Sequence, residues 1–270
     1  MIKPVLQDDA FLADVDAARA DATSLHLWWL GQSGFLVQWR GRHLLFDPYL
    51  SDSLTDKYAT TDKPHVRMTE RVIAPHRLDF IDVVTSTHNH TDHLDAETLR
   101  PILLSNRKTK LVVPAANLSF AADRLKVDPA SLLGIGIAEK RPLAGMSLVA
   151  VPAAHEMLSP TCVGYVVGRR PWTLYHSGDT VVYDGMIEGL RPYAVDVAIL
   201  PINGKLGNMT GVDAARIAKA IGARIAIPCH FDMFEFNTAS PAAFAAECER
   251  LGQPFAVLKN GQRLTLPAQT

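Results

Sequence analysis

The stretch Ser86-Thr87-His88-Asn89-His90-Thr91-Asp92-His93 places three imidazoles and one carboxylate within six residues. Residues 80–84 before it read FIDVV, which is typical of a buried β-strand. Residues 94–104 after it have the apolar spacing of an amphipathic helix, with acids in the first turn. The cluster therefore lies in a strand-to-helix loop, where a rigid scaffold presents side chains to a ligand.

The chemistry of this cluster favours a metal site. Imidazole nitrogen and carboxylate oxygen both bind divalent transition metals well. His88 and His90 are two residues apart and would project the same way from an extended segment, so they are expected to bind one ion. Asp92 and His93 follow where the chain turns into the helix and are expected to face a second position. A single histidine here would be a solvated loop residue, but four ligand-type residues at this spacing predict metal binding.

Composition excludes several classes of protein. The chain has 270 residues, is 48% hydrophobic and 20% charged, and carries a net charge of −1, which is ordinary for a globular protein. Because no basic run stands out, a nucleic-acid partner is not expected. The N-terminal residues are acidic where a signal peptide needs an apolar core, and no window approaches the length of a membrane span. Three cysteines without a C-x-x-C pair suit a reducing compartment, so a cytoplasmic location is predicted.

The order of predicted elements indicates two mixed sheets packed together with helices outside, in a single domain over residues 1–270. Residues 1–23 are predicted to be an N-terminal helical extension, and residues 51–77 a long loop that is either a lid or a plain surface excursion. Further strands are predicted at 24–30, 34–39, 43–46, 110–113, 147–152, 163–167, 172–176, 195–200, 224–227, 255–257 and 263–266, and further helices at 115–125, 183–190, 210–221 and from 240 onward. Thr210 and Asp213 have the spacing of a capping box at the start of the helix at 210–221.

Three more ligand-type residues each follow a predicted strand, namely His155, Asp179 and His230. Each alone has a structural explanation, as a loop histidine, a turn residue and a core-edge imidazole. Their joint occurrence at strand ends favours a shared site. Asp179 is suited to bridge two ions, because Gly178 before it lets the backbone approach closely.

In this order, the seven residues resemble the ligand series of the metallo-β-lactamase superfamily. Local phrases resemble its L-ascorbate-6-phosphate lactonase-like branch: WWLGQSGFLV (28–37), LLFDPYLSD (44–52), THNHTDHLD (87–95), VPAAHE (151–156), YHSGDT (175–180), LPINGK (200–205), GNMT (207–210) and PCHFDMF (228–234). The resemblance covers residues 24–266. It implies an α+β fold, a four-layer αββα sandwich with two mixed β-sheets flanked by helices.

The resemblance also implies two divalent metal ions. The first would be bound by His88, His90 and His155, the second by Asp92, His93 and His230, and both by Asp179. Zinc or manganese is expected from this nitrogen and oxygen ligand set, and iron is chemically acceptable. Asp179 and Asp92 are the implied catalytic residues, since Asp179 bridges the ions and Asp92 orients the attacking water. Members of the branch form oligomers, which leaves a homo-oligomer open here.

Six further residues are candidates for contacting the substrate or supporting a ligand. Asp47 is a candidate hydrogen-bond partner for a metal-bound histidine, and His176 precedes Asp179 by three residues. Lys205 is a candidate for binding an anionic group, with an exposed loop lysine as the alternative. The complete set is Asp47, Tyr49, His176, Asn203, Lys205 and Asn208.

The resulting expectation is a metal-dependent, lactonase-like hydrolase that uses a metal-activated hydroxide to open a lactone or cleave an ester-type bond of a small anionic metabolite. The alternative within the superfamily is a phosphodiesterase, either nuclease-like or phospholipase-D-like. The sequence shows neither the basic patch that a nuclease needs nor the apolar segment that a lipid enzyme needs. The alternative of another class is a metal-binding protein without turnover. The expected partner is a small-molecule substrate, with no nucleic acid and no membrane.

Overall fold

A seven-stranded sheet forms one of the two central layers of the molecule. The structure is a computed structural model that describes residues 1–267. The strands of this sheet lie in the order β13-β1-β2-β3-β4-β5-β6, antiparallel from β13 to β3 and parallel from β3 to β6. The bounds are β1 Leu25–Gly31, β2 Gly34–Trp39, β3 Arg42–Phe46, β4 Val83–Thr85, β5 Lys110–Pro114, β6 Leu133–Ile135 and β13 Arg263–Leu266.

A six-stranded sheet in the order β12-β11-β10-β9-β8-β7 forms the other central layer. It is parallel from β12 to β10 and antiparallel from β10 to β7. The bounds are β7 Lys140–Leu143, β8 Met146–His155, β9 Met157–Arg169, β10 Trp172–His176, β11 Val197–Pro201 and β12 Ile225–Cys229. Both sheets are therefore mixed, as predicted.

Strand β1 is apolar on both faces because both faces are covered. Leu27 and Trp29 pack in the apolar cluster between the two sheets, whereas Trp28 and Leu30 pack in a second cluster on the outer face. Successive side chains of a strand point to opposite faces, so a strand covered on both sides has no polar face. A continuous apolar run such as LHLWWLG is the result.

The helices cover the two outer faces. Helices α1 (Asp8–Ala18), α3 (Ala96–Ser105) and α4 (Leu118–Leu125) bury apolar side chains in the outer cluster of the seven-stranded sheet. Helices α6 (Gly211–Ala220) and α7 (Ala242–Leu251) pack on the other side, where α6 contacts β11 and β12. Two short helices, α2 (Ser53–Tyr58) and α5 (Met186–Leu190), lie in connections. The αββα sandwich predicted from the resemblance is confirmed.

Local sequence signals fix several helix starts. The side chain of Asp95 accepts a hydrogen bond from the Glu97 backbone N–H at the start of α3. Thr210 and Asp213 form the predicted capping box at the start of α6, which satisfies two backbone donors that the helix itself leaves unpaired. The α3 cap lies close to the 86–93 loop, because α3 begins three residues after His93.

Several sequence predictions differ from the structure. Residues 255–257 form only one isolated bridge, between Phe255 and Ala226, and residues 115–117 form a 3-10 turn before α4. The predicted helix over 183–190 begins at Met186. Strands β6 and β7 were not predicted, because both are short edge strands that exist by pairing with β5 and β8.

Residues 51–77 contain α2 and a 3-10 helix at Pro75–Arg77, and their role as a lid stays a prediction. The predicted single domain extends to residue 270, and residues 268–270 lie outside the described part of the chain. Over residues 1–267, no helix combines the length and the apolar content needed to cross a membrane. All three cysteines are free and buried.

Candidate metal centre

One edge of the sandwich collects the ends of four strands that carry ligand-type residues. The 86–93 loop follows β4, His155 ends β8, Asp179 follows β10 and His230 follows β12. Because β10, β11 and β12 are parallel neighbours, their carboxyl ends meet at the same edge, where open α/β sheets bind their ligands. The fold thereby brings together residues that are up to 142 positions apart in the sequence, from His88 to His230.

The first group consists of His88, His90 and His155, whose candidate ligand atoms all lie within 4.8 Å of one another. Nε2 of His155 lies 3.1 Å from Nδ1 of His90. Nδ1 of His155 lies 3.3 Å from the carbonyl oxygen of Gly207. When Nδ1–H donates to that carbonyl, Nε2 keeps its lone pair for a metal ion.

The second group consists of Asp92, His93 and His230, again within 4.8 Å. Nε2 of His93 is 3.6 Å from Oδ2 of Asp92, and Nε2 of His230 is 3.5 Å from the same oxygen. Asp179 lies between the groups: its Oδ1 is 3.2 Å from His93 Nε2 and its Oδ2 is 3.3 Å from His230 Nε2. It also forms a third group with His88 and His93, the placement that a bridging carboxylate requires.

These residues fit divalent metal ions by an observation independent of the resemblance. Nε2 of His88, Nε2 of His93 and Oδ1 of Asp179 are buried and have no hydrogen-bond partner among the described residues. A buried polar atom without a partner is costly, and three of them converge here. Imidazole nitrogens and carboxylate oxygens are the donors that Zn²⁺, Mn²⁺ and Fe²⁺ accept.

Electrostatics at this edge favour added positive charge. Burial lowers the pKa of His88 well below its usual value, which leaves its ring neutral. Burial also opposes the charged form of His93 and His230, but the carboxylates of Asp179 and Asp92 outweigh it. They raise the pKa of His93 well above its usual value and that of His230 to about 9. The carboxylates that favour a proton on these rings also favour a divalent cation, which would displace that proton on binding.

Two predicted supporting residues contact candidate ligands directly. Oδ2 of Asp47 lies 2.8 Å from Nδ1 of His93 and also accepts a hydrogen bond from the Thr87 backbone N–H at 3.1 Å. Nδ2 of Asn208 donates to Oδ2 of Asp179 at 2.9 Å, and its Oδ1 accepts from the Thr180 N–H at 2.9 Å. Such partners fix the orientation of a ligand and the tautomer of a histidine.

His176 supports the backbone rather than a ligand side chain. Its Nε2 donates to the carbonyl oxygen of Ser33 at 2.9 Å, and its Nδ1 accepts from the Gly178 N–H at 3.3 Å. At Gly178, where φ is +61°, a Cβ would lie 2.6 Å from Cβ of Thr87. Only glycine therefore lets this turn place Asp179 against the 86–93 loop.

Backbone strain is concentrated at the same edge. Asp47, Glu156 and His230 have positive φ angles of 34°, 69° and 64°, which non-glycine residues adopt at a cost. Each lies at the end of a strand. His230 belongs to the candidate metal centre, and Asp47 and Glu156 lie beside it. Such strain persists only where the surrounding structure holds it in place, and it clusters at functional sites.

A cavity of about 300 Å³ opens over Asp92, Asp179, His90, His155 and His230. Its walls come from the 51–77 stretch, from the segment after β12, from the end of α4 and from the loops that carry Glu156 and Leu206. Cationic and aromatic side chains dominate these walls. They include Lys57, Lys63, Arg124, Tyr58, His65, Phe234 and Phe236.

The structure does not place every candidate substrate residue in this cavity. Tyr49 is fully buried and packs behind the wall, against Phe234. Asn203 donates to Oδ1 of Asn237 at 2.7 Å and so supports a wall residue. Nζ of Lys205 lies 3.5 Å from the carbonyl oxygen of Phe236 and is not among the residues that line the cavity. None of these three residues lines the cavity, so substrate contact by them stays a prediction.

Sequence reasoning missed the cations that do line the cavity, because Lys57, Lys63 and Arg124 lie in segments without a recognisable motif. Sequence reasoning also did not predict that the Gln32 side chain contacts Asp92. The position of Gln32 directly after a buried strand was the available signal.

The chain is similar to a known domain family and to several named relatives. Residues 42–231 match the model of the beta-lactamase superfamily domain. A UPF0173 metal-dependent hydrolase of Thermofilum pendens is 30% identical over 89% of this chain and 99% of its own length. A relative of the same name from Caldivirga maquilingensis is 29% identical over 90% of this chain and 98% of its own.

Solved structures share the fold. Igni18, a metallo hydrolase from Ignicoccus hospitalis, superposes with a TM-score of 0.69 at 22% identity and covers 92% of this chain and 100% of its own. YhfI, a metallo-beta-lactamase fold protein from Bacillus subtilis, gives 0.65 at 16% identity, with 90% and 99% covered. An isothiocyanate hydrolase from Delia radicum gut bacteria gives 0.73 at 15% identity, with 90% and 100% covered.

The family model spans well over half of the chain, and the Thermofilum relative matches nearly all of both sequences. The chain therefore belongs to the beta-lactamase superfamily and, within it, to the family of UPF0173 metal-dependent hydrolases.

Proposed function

We propose that this protein is a metal-dependent hydrolase that opens a lactone or cleaves an ester-type bond in a small anionic metabolite. The observation that carries the proposal is the joint geometry of the two ligand groups. Each group gathers three ligand-type residues within 4.8 Å, and Asp179 reaches both. Relatives with the name metal-dependent hydrolase support the same reaction class.

His88, His90 and His155 would bind one ion, Asp92, His93 and His230 a second, and Asp179 both. Divalent ions bound there would supply a hydroxide at neutral pH and positive charge to polarise the attacked carbonyl. Asp47 and Asn208 keep the side chains of His93 and Asp179 oriented. Asp92 lines the cavity, where its carboxylate would help to orient the attacking water.

The cavity supports a small and negatively charged substrate. At about 300 Å³ it is at the small end of ligand pockets. Lys57, Lys63 and Arg124 line it, whereas Glu156 is the acidic wall residue outside the ligand groups. The excess of cations favours an anionic group at the outer wall while the reacting bond lies over the ligand residues.

The test begins with elemental analysis of freshly purified protein, followed by paired assays of a lactone bearing a carboxylate and of bis(p-nitrophenyl) phosphate. About two metal equivalents with turnover of the lactone would support the proposal. Turnover of the phosphodiester alone would replace it with a phosphodiesterase function. Metal-loaded protein that turns over neither compound would support a binding role without catalysis.

A further inference from the structure

Gln32 lies in the turn between β1 and β2, fully buried beside the second ligand group. Its Nε2 donates a hydrogen bond to Oδ2 of Asp92 at 2.8 Å and lies 2.9 Å from Nε2 of His230. The same nitrogen is 3.4 Å from Nδ1 of His230, so the amide lies beside the ring rather than along one lone pair. The bond to Asp92 is therefore its one well-directed hydrogen bond.

The backbone of Gln32 is tied to the loop that carries His230. Its carbonyl oxygen accepts a hydrogen bond from the His230 N–H at 3.0 Å and another from Nε1–H of Trp29 at 3.0 Å. Its φ of 49° is in the left-handed region, which a residue without glycine's freedom adopts only when the surroundings hold it. The side chain is thus held at the ligand group by contacts that do not involve the amide.

The other end of the amide has no partner. Oε1 of Gln32 is buried and accepts no hydrogen bond from any residue in the described range 1–267. An unsatisfied buried acceptor costs about 1–3 kcal/mol. Rotation about the Cγ–Cδ bond exchanges Oε1 and Nε2, and this torsion is broad and roughly two-fold. The amide can therefore present either its nitrogen or its oxygen to Asp92 and His230.

We propose that Gln32 supplies Oε1 as an additional ligand at the second metal position, with the amide turned by half a rotation relative to the structure. This inference rests on the proposed function, since it requires a cation among Asp92, His93 and His230. Atoms that share one cation through bonds of about 2.1 Å lie roughly 3 Å apart. The amide nitrogen lies at this separation from both Asp92 Oδ2 and His230 Nε2, at 2.8 Å and 2.9 Å. Because it lies beside the His230 ring, bonding through Oε1 also requires the amide to move toward the lone pair of that nitrogen.

The two metal positions then differ in chemistry. The first has three imidazoles and Asp179, a set that suits four-coordinate zinc. The second gains a carbonyl oxygen beside two carboxylates and two imidazoles, a harder set with more ligands. Oxygen-rich sites of higher coordination number favour Mn²⁺ or Fe²⁺. Gln32 would therefore bias the second position toward these ions.

The experiment compares three variants of the full chain with the wild type. Gln32→Met keeps the side-chain length and the backbone contacts but removes the oxygen, and Gln32→Glu keeps an oxygen ligand. Gln38→Met is the matched control, because Gln38 is equally buried on β2 but bonds to His43 instead. Metal-free protein is titrated with Mn²⁺ and Zn²⁺ by calorimetry, and Co²⁺ d–d spectra report coordination number.

We expect Gln32→Met to bind the second Mn²⁺ equivalent about 10–100-fold more weakly, with the first equivalent unchanged and stronger Co²⁺ bands. Gln32→Glu and Gln38→Met should retain two equivalents. Wild-type affinity and spectrum in Gln32→Met would overturn the inference while leaving the proposed function standing. A wild-type chain that binds no second equivalent would overturn both.

If Gln32→Met does not fold by circular dichroism, the crystal structure of the manganese-loaded wild type decides. Oε1 of Gln32 within bonding distance of the second ion supports the proposal. An amide that still directs Nε2 to Asp92, with Oε1 away from the ion, overturns it.

Discussion

The second ligand group of the metal centre and the β2–β3 hairpin both bury histidines, but with opposite effects on their pKa values. At the metal centre His93 and His230 lie against Asp92 and Asp179, and their pKa values are raised. In the hairpin, burial is the largest influence on His43, helped by Arg19, and its pKa falls to about 4. His43 bonds to Gln38 through Nε2 at 3.2 Å, whereas Nε2 of His93 has no hydrogen-bond partner among residues 1–267.

The difference shows that burial alone does not make a histidine a candidate ligand. A structural histidine is neutral and satisfied by the protein, as in the hairpin. A ligand histidine has one nitrogen anchored, as His93 is by Asp47, and the other left open toward carboxylates. The two regions therefore respond differently to mutation and to pH.

The largest effect is expected from Asp179→Ala, which removes the carboxylate that distinguishes the two regions. Without it, His93 and His230 lose the partner between them, and neither ion keeps its shared ligand. Metal ions contribute several kcal/mol to such reactions, so turnover should fall by at least roughly a thousandfold. Elemental analysis and a hydrolysis assay would check this; a variant that retains both metals and full activity would refute the ligand assignment.

The second prediction concerns the pH dependence of folding at His43. Its folded pKa of about 4 lies below the ordinary 6.5. Between these pH values His43 is therefore more protonated in the unfolded chain than in the folded chain. Stability should therefore fall as pH drops from 6.5 to 4, by at most about 3 kcal/mol from this residue. His43→Gln, which can still bond to Gln38, should lose this component of the slope in urea unfolding measured across that range. Parallel slopes for wild type and variant would show that His43 does not contribute.

A smaller effect is expected from Asp47→Asn, which weakens the anchor of His93 while leaving every candidate ligand in place. The neutral amide orients Nδ1 of His93 less strongly than the carboxylate that lies 2.8 Å away. Loss of such a partner typically weakens metal binding about 10–100-fold. Calorimetric titration with zinc measures this, and unchanged affinity would mean that Asp47 supports only Thr85 and Thr87.

The smallest effect is expected at the outer wall. Replacing Lys57 or Lys63 by Met should raise KM for an anionic substrate about fivefold, since exposed charge pairs contribute up to about 1 kcal/mol. KM for a neutral ester should stay the same. Lys108→Met is the matched control, because Lys108 is an exposed lysine outside the cavity lining. Equal changes for both substrates would exclude recognition of charge by these lysines.

Prediction from the sequence was most reliable where a signal is local. Strands β2, β10 and β13 have the predicted bounds, and the Thr210–Asp213 capping box is present. Edge strands β6 and β7 escaped prediction, because their pairing partners rather than their own residues make them strands. The fold class followed from the ligand series, since those motifs occur at the strand ends of this sandwich.

For the candidate metal centre, too, the sequence predicts one part and only the structure reveals the other. The chemistry of the seven ligand-type residues is visible in the chain, because imidazoles and carboxylates at strand ends have few other uses. Which side chains surround them is not visible, as Gln32, Lys57 and Arg124 show. Their roles depend on distances between segments far apart in sequence, and local propensity carries no information about those distances.

The sequence by itself determined the ligand chemistry, the strand-to-helix setting of residues 86–93 and the glycine that Asp179 requires, because each depends on residues close together in the chain. Only the tertiary structure decided that Lys205 and Tyr49 lie outside the cavity, that Lys57 and Lys63 lie in its wall, and that Gln32 contacts Asp92. The physical reason is that packing of the two sheets sets which loops meet at one edge, and side-chain contacts follow from that meeting.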